Sequence, residues 1–153
     1  MEFIELDSPQ EYEKFVSTHP KAHFMQSYYW GDVMKFKHFH PHYMVLKDNG
    51  IIVASALMLQ KYLFKGYCYY YIPRGFVLDY NNFSLIEKFT ACIKVYAKEH
   101  KGIFIKIDPD IKLHNLDIDG NIIGEENQFP LIQKLQQLGY QHLGFYKSFD
   151  GEQ

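Results

Sequence analysis

The stretch Tyr71-Ile72-Pro73-Arg74-Gly75-Phe76-Val77-Leu78-Asp79-Tyr80 sets a guanidinium at the mouth of a buried strand. Upstream, Tyr67, Cys68, Tyr69 and Tyr70 are aromatic enough to form that strand. Pro73 has no N–H to give a ladder, so the strand is predicted to end there. Gly75 permits a turn, or a close approach of a ligand to the backbone. Between them Arg74 carries the planar fork that matches a carboxylate or a pyrophosphate. Two readings follow from these residues alone: Arg74 pairs with Asp79 and ties down a loop, or it faces an anionic ligand.

The flanking sequence supplies the other elements. Residues 3–6 read as a short strand, and Ser8, Pro9 and Glu11 as a capping box with proline at the first helical position. Residues 27–36 form a second helix with Tyr29, Trp30 and Val33 on one side. Residues 43–47 and 51–60 flank Asp48-Asn49-Gly50, whose Asn-Gly pair predicts a hairpin. Ser84 and Glu87 make another capping box, opening the longest helix, in which Ile86, Phe89, Ile93, Tyr96 and Ala97 recur at helical spacing. Gly102 is expected to close it after a basic last turn. Ile103-Phe104-Ile105-Lys106-Ile107 is apolar on nearly both faces, which predicts a central strand, ended by Asp108-Pro109. Residues 113–123 read as a loop with a tiny hairpin about Asp119-Gly120. Leu131, Ile132, Leu135 and Leu138 mark a last helix, and residues 140–146 a final strand. The order β-α-α-β-β-β-α-β-α-β predicts an α/β (α+β) fold, a mixed sheet with helices packed on it.

At 153 residues the chain is expected to be a single domain, long enough for a real core. Apolar residues at 47% and charged residues at 22% are ordinary for a soluble globular protein. The 13 Tyr and 13 Phe imply either a cleft with polar-tipped walls or a bulky core. A net charge of -2 excludes a global attraction to nucleic acid or anionic lipid, so any polyanion must be gripped locally. Cys68 and Cys92 fall inside a strand and a helix and are read as reduced core residues, in keeping with a reducing compartment. No leader is seen before Ser8, and the most apolar stretch, 51–59, is broken by Ser55 and falls short of the ~20 residues of a membrane helix. A cytoplasmic protein without an integral membrane segment is expected.

Several constellations are weighed and set aside. His38, His40 and His42 alternate and would share a face on an extended segment, yet Pro41 disturbs that geometry and no fourth ligand stands nearby. They read as solvated or stacking residues, and no metal is expected. Asp117, Asp119 and Asn121 resemble a calcium loop, but Gly120 falls in the wrong place, so they read as a turn. Ser27, Ser55, Ser84 and Ser148 lack a nucleophile elbow, and Cys92 sits mid-helix. Gln136-Gln137-Leu138-Gly139-Tyr140-Gln141 begins like an acyl-CoA pyrophosphate loop, but Gln141 stands where a glycine is needed. No cofactor is expected. Two strand ends remain, at Arg74 and at Asp108. Open sheets bind ligands outside the carboxyl ends of their strands. If these strands are parallel neighbours, Arg74 and Asp108 open onto one crevice; the alternative is that Asp108 only caps or turns the chain before Pro109.

Four segments in order, Phe24-Met25-Gln26-Ser27…Trp30-Gly31, Tyr71-Ile72-Pro73-Arg74-Gly75…Val77-Leu78-Asp79-Tyr80, Ile105-Lys106-Ile107-Asp108-Pro109 and Leu138-Gly139-Tyr140-Gln141-His142-Leu143-Gly144-Phe145, resemble the Fem family. These are peptidoglycan aminoacyltransferases of the FemA, FemB, FemX and MurM type. The resemblance implies a GNAT-like fold, with residues 1–153 as one such domain corresponding to the first half of the N-terminal part. It also implies transfer of an amino acid from aminoacyl-tRNA to the stem-peptide lysine of a UDP-linked or lipid-linked muropeptide precursor. The family commonly carries a lysine shortly after the tryptophan; here Met34 holds that place and Lys35 follows. Phe76 replaces the proline of the family's Arg-Gly-Pro. By this resemblance Lys35, Trp30, Tyr69, Tyr71 and Arg74 bind the acceptor, and Asp108 is catalytic, orienting the amine or taking its proton. Aminoacyl-tRNA would be met mainly by regions missing here, and the chain alone is expected not to turn over. The competing expectations are a binding or scaffold module without turnover, and a small-molecule N-acyltransferase.

Overall fold

A computed structural model describes residues 1–124, 127–144, 147–148 and 151–152, the last two pairs as backbone only. The chain divides into two compact units, Met1–Asp110 and Ile111–Gln153.

The first unit holds a five-stranded sheet in the order β1 (Glu2–Glu5), β2 (His40–Asp48), β3 (Ile51–Tyr62), β4 (Cys68–Arg74) and β5 (Gly102–Pro109). The first three junctions are antiparallel and the β4–β5 junction is parallel. A parallel junction needs a crossover, and α3 (Phe83–Glu99) provides it. This is the mixed α/β architecture that the order of elements implied. The β2–β3 hairpin turns at Asn49 and Gly50, whose φ values of 49° and 81° suit a tight primed turn. Helix α1 (Pro9–Thr18) starts at Ser8, whose Oγ accepts from the Glu11 N–H at 3.4 Å. Helix α2 (Tyr28–Lys35) starts at Ser27, whose Oγ accepts from Trp30 at 3.1 Å. Both caps satisfy first-turn donors that the helix itself leaves orphaned.

Alternation along the strands divides the sheet into two faces. One carries Tyr43, Val45, Leu57 and Leu59, which join Leu6, Val77 and Tyr12 and Val16 of α1 in a buried cluster. Tyr28, Trp30 and Met34 of α2 and Tyr71 of β4 pack against the same cluster. The other face carries Met44, Leu46, Met58, Tyr70 and Ile72, all buried, as are Ile86, Phe89 and Ile93 of α3. Phe89 meets Phe3 and Phe76 edge-on at 5.9 and 5.0 Å.

Three local expectations are corrected. Helix α3 begins at Phe83, because Asn82 and not Ser84 is its cap: Asn82 Oδ1 accepts from Leu85 N–H at 3.0 Å. Its end is closed by Lys101, which takes the left-handed φ of 58°. Gly102 instead meets close packing, for a Cβ there would stand 2.8 Å from the Ala97 carbonyl and 2.9 Å from the Tyr70 ring. Finally, among the described residues β5 is the last strand of the sheet, with Ile103 and Phe104 54% and 51% exposed. Its second apolar face reflects the stacking of Phe104 on Tyr69 of β4, with centroids 5.0 Å apart and planes at 12°.

In the second unit β6 (Asn115–Leu116) and β7 (Ile122–Ile123) form the small hairpin. The Asp117 carboxylate accepts from the backbone N–H groups of Asp119 and Asn121 at 2.9 and 2.8 Å, which makes this a turn, as read. Helix α4 (Phe129–Gln137) follows, and Tyr140 N–H returns to the Leu135 carbonyl at 3.0 Å to finish its last turn. Residues 140–144 carry no strand, contrary to expectation, and Phe145 and Tyr146 lie outside the described residues. A short antiparallel pair joins β8 (Lys147–Ser148) and β9 (Gly151–Glu152). Among the described residues no helix is long and apolar enough to cross a membrane, and no group of three His, Cys, Asp or Glu is suited to a metal.

Candidate functional site

The parallel pairing of β4 and β5 sets Pro73 opposite Asp108 and Arg74 opposite Pro109, so the two carboxyl ends finish side by side. β5 ends at Pro109 and β4 runs one residue past Pro73, so Arg74 and Asp108 both stand at the rim. Asp108 is half-buried, and both its oxygens are engaged by β4. Oδ1 accepts the Arg74 backbone N–H at 3.0 Å, and Oδ2 accepts the Tyr71 hydroxyl at 2.9 Å. Burial first, and then the Asp108 charge and hydrogen bond, push the Tyr71 pKa well up, so its phenol is a neutral donor. Arg74 itself is half-buried and takes a left-handed φ of 50°.

The same sheet face continues along both strands. Tyr71 pairs in register with Lys106, whose Nζ stands 5.6 Å from the centre of the Tyr71 ring. Tyr69 stacks on Phe104, and Phe39 meets Tyr69 edge-on at 6.3 Å. Lys61 of β3 lies 4.6 Å above the Phe39 ring and donates to the Lys37 carbonyl at 3.2 Å. The result is a band of aromatic rings flanked by the ammonium groups of Lys61 and Lys106. Such a band can take up a ligand with an apolar or sugar-like body and anionic substituents. Phe104 and Lys106 were not among the candidates from sequence, although Phe104, Lys106 and Asp108 alternate at period two.

The α2 candidates lie differently. Trp30 is half-buried, edge-on to Phe24 at 5.4 Å, and shares the buried cluster with Tyr71. Met34, where the resemblance would put a lysine, packs against that cluster too. Lys35 is turned about 100° from it, as successive helical residues are, and its Nζ pairs with Asp32 Oδ1 at 2.7 Å. The hydrogen bond that Lys35 donates to Asp32 raises the lysine's pKa. The structure thus brings Tyr71, Arg74 and Asp108 together and sets Tyr69 on the same face. It packs Trp30 against the buried cluster that Tyr71 also meets, and gives Lys35 a carboxylate partner on its own helix. A hollow of about 360 Å³ lies elsewhere, lined by Val16 and Ser17 of α1, by His23 and by Phe24 of the 3-10 turn Phe24–Gln26, and by Ser27 and Tyr29 at the α2 start.

The row of three imidazoles that an extended segment would give is not formed. His38 sits in the turn after α2 with a φ of 61°, and only His40 and His42 lie on β2. His40 meets Tyr62 edge-on at 5.2 Å, whereas His42 points to the α3 face and bonds Glu5 at 2.9 Å and Gln60 at 3.1 Å.

The FemAB family model matches residues 8–153. The chain is similar to the aminoacyltransferase FemA of Staphylococcus aureus strain bovine RF122 / ET3-1, being 30% identical over 151 residues that cover 98% of this chain and 36% of the relative. The same protein from strain MW2 gives the same identity and coverage. A solved structure of FemX aligns with a TM-score of 0.77 at 29% identity, over 97% of this chain and 34% of that one. The chain therefore spans about a third of the length of the relatives it matches.

Proposed function

From the premise that this chain belongs to the FemAB family, we propose that it is the acceptor-binding part of an aminoacyltransferase of peptidoglycan interpeptide-bridge synthesis. Its sheet is then the first portion of a GNAT-like domain, and it works in the cytoplasm. The acceptor is a muropeptide precursor, and the donor is an aminoacyl-tRNA held mainly by parts of the protein outside this chain. The observation that carries the reading is the group formed by Tyr71, Asp108 and Arg74 at two adjacent parallel strand ends.

The chemistry asks for little beyond alignment. The ester of an aminoacyl-tRNA is already activated, so a neutral stem-peptide amine can attack its carbonyl carbon directly. A C–N bond forms, the ester C–O bond breaks, and the ribose oxygen leaves with a proton that the amine gives up. In this reading Arg74 grips a carboxylate or phosphate of the acceptor in a bidentate manner. Tyr69 and Tyr71 line its sugar and peptide, with Trp30 behind them, and Lys35 supplies a second cation at the α2 end. Asp108, held by Tyr71 and by the Arg74 backbone N–H, orients the amine or receives its proton.

Calorimetric titration of a UDP-linked muropeptide into the chain and into Arg74→Ala tests this. A charge-assisted contact contributes roughly 1.5–3 kcal/mol, so the variant is expected to bind about 10- to 100-fold more weakly. Equal affinity in the two proteins would remove Arg74 from the site.

A further inference from the structure

The sheet is interrupted between β3 and β4, and one side chain fills the interruption. Regular pairing runs from Tyr62 opposite Cys68 to Leu59 opposite Tyr71. Contact resumes at Ser55 and Val77, which exchange backbone hydrogen bonds of 3.0 and 2.9 Å. In the gap stands the carboxamide of Gln26, fully buried at the end of the 3-10 turn Phe24–Gln26. Its Oε1 accepts the Leu57 N–H at 2.9 Å, and its Nε2 donates to the Pro73 carbonyl. The carboxamide thus serves both strands as a peptide group of a ladder would. Gly75 lies flat against it: a Cβ there would stand 2.7 Å from Nε2 and 2.8 Å from Cδ. Close approach, rather than a turn, is what requires glycine at this position.

The peptide unit joining Pro73 to Arg74 is therefore held at both ends. Gln26 binds its carbonyl, and Asp108 binds its N–H at 3.0 Å. From that fixed plane Arg74 departs with its left-handed φ of 50°. We propose that Gln26 is a positioning residue for Arg74, fixing the plane of the Pro73–Arg74 peptide and hence the direction from which the guanidinium meets an anionic group of the acceptor. This rests on the reading of Arg74 as an acceptor ligand, but the clamp is testable without any ligand.

Gln26→Glu is the informative variant, since it keeps an acceptor for Leu57 and replaces the donor to Pro73 by an oxygen. Affinity for the UDP-linked muropeptide is measured for the wild type, Q26E, R74A and the double variant, at a temperature where circular dichroism shows each to be folded. Q26E should weaken binding roughly tenfold when Arg74 is present, the scale of one hydrogen bond. It should do so by less than about twofold in the R74A background, because coupled residues are non-additive. Equal weakening in both backgrounds, or none with Arg74 present, would overturn the positioning role. If Q26E does not fold, Gly75→Ala presses a methyl group onto the same carboxamide and must give the same cycle. Amide exchange of the unaltered chain judges the clamp by itself. Leu57 should be as protected as its ladder neighbour Leu59, and exchange at the rate of loop amides would overturn the clamp whatever the variants do. R74A that binds like the wild type while Leu57 stays protected would instead place the fault in the reading of Arg74.

Discussion

The Asp108 carboxylate accepts from a backbone N–H and from a phenol of the neighbouring strand, so deleting it deprives two donors of their acceptor. Deleting the Tyr71 hydroxyl leaves Asp108 with one donor fewer and leaves no N–H or O–H without an acceptor. Unmet donors in a half-buried place cost more than an unmade bond. We therefore expect Tyr71→Phe to lower the unfolding free energy by about 1 kcal/mol and Asp108→Ala by about 2–3 kcal/mol. Urea denaturation checks this, and the reverse order would mean that Asp108 is not the anchor of the two strand ends. The adjacency of Arg74 and Asp108 was legible in the sequence, since a proline next to each announces where its strand stops. The form of their contact was not. Asp108 reaches the Arg74 backbone N–H, a group that every non-proline residue has and that no side-chain pattern reveals. Gln26 was hidden for a related reason, as its partners are the backbone groups of Leu57 and Pro73.

At the level of elements, the start of α3 separates two cap candidates two residues apart. Asn82 holds the Leu85 N–H, and Ser84 lies one residue inside the helix. Replacing an N-cap by alanine costs about 1 kcal/mol, and replacing an exposed first-turn serine costs a few tenths at most. Asn82→Ala should accordingly lower the thermal midpoint by several degrees and Ser84→Ala by about one degree or less; comparable losses would restore the cap to Ser84. The Ser84…Glu87 pattern misled because asparagine caps as well as serine does, and a capping box two residues later looks just as complete. Local signals succeeded where local chemistry decides the matter, at the Ser8 cap and at the Asn49-Gly50 turn. They fail for β5, whose apolarity on both faces predicts a central place. Its Phe104 is instead matched by a single ring across the junction, Tyr69, and a side-chain stack between two strands looks the same in sequence as burial between sheet and helix.

For the whole first unit, a polar network through the α3 face joins β1, β2, β3, β4 and α3. Glu5 Oε1 meets His42 Nδ1 at 2.9 Å, Tyr96 donates to Glu5 Oε2 at 3.1 Å, and Tyr96 also lies 3.0 Å from His42 Nδ1. His42 Nε2 meets Gln60 Oε1 at 3.1 Å, and Gln60 Nε2 donates onward to the Tyr70 hydroxyl at 3.1 Å. The abundance of tyrosine therefore reflects, in part, a bulky core whose hydroxyls are tied together, one of the two alternatives left open by composition. Burial pulls the His42 pKa down, but the hydrogen bonds to Glu5 and Gln60 and the charge of Glu5 outweigh it and raise the value above 6.5. The His42 hydrogen bond lowers the Glu5 pKa below 4.5, against the opposing effect of burial. A histidine that binds its proton more tightly when folded stabilises fully below its unfolded value and loses that contribution as pH rises through its folded value. A carboxylate with a lowered pKa contributes above its unfolded value and loses that contribution as pH falls through its folded one. The pair is thus most stabilising between the two ordinary values, 4.5 and 6.5. His19, whose pKa burial lowers, acts with the opposite sign, so the useful quantity is the stability difference between the wild type and His42→Gln. That difference, from urea denaturation at pH values from about 4 to about 9, should peak near pH 5.5 and shrink above about pH 7. A difference that stayed constant or grew on the alkaline side would show that His42 is neutral in the folded protein and that the network is held without its charge.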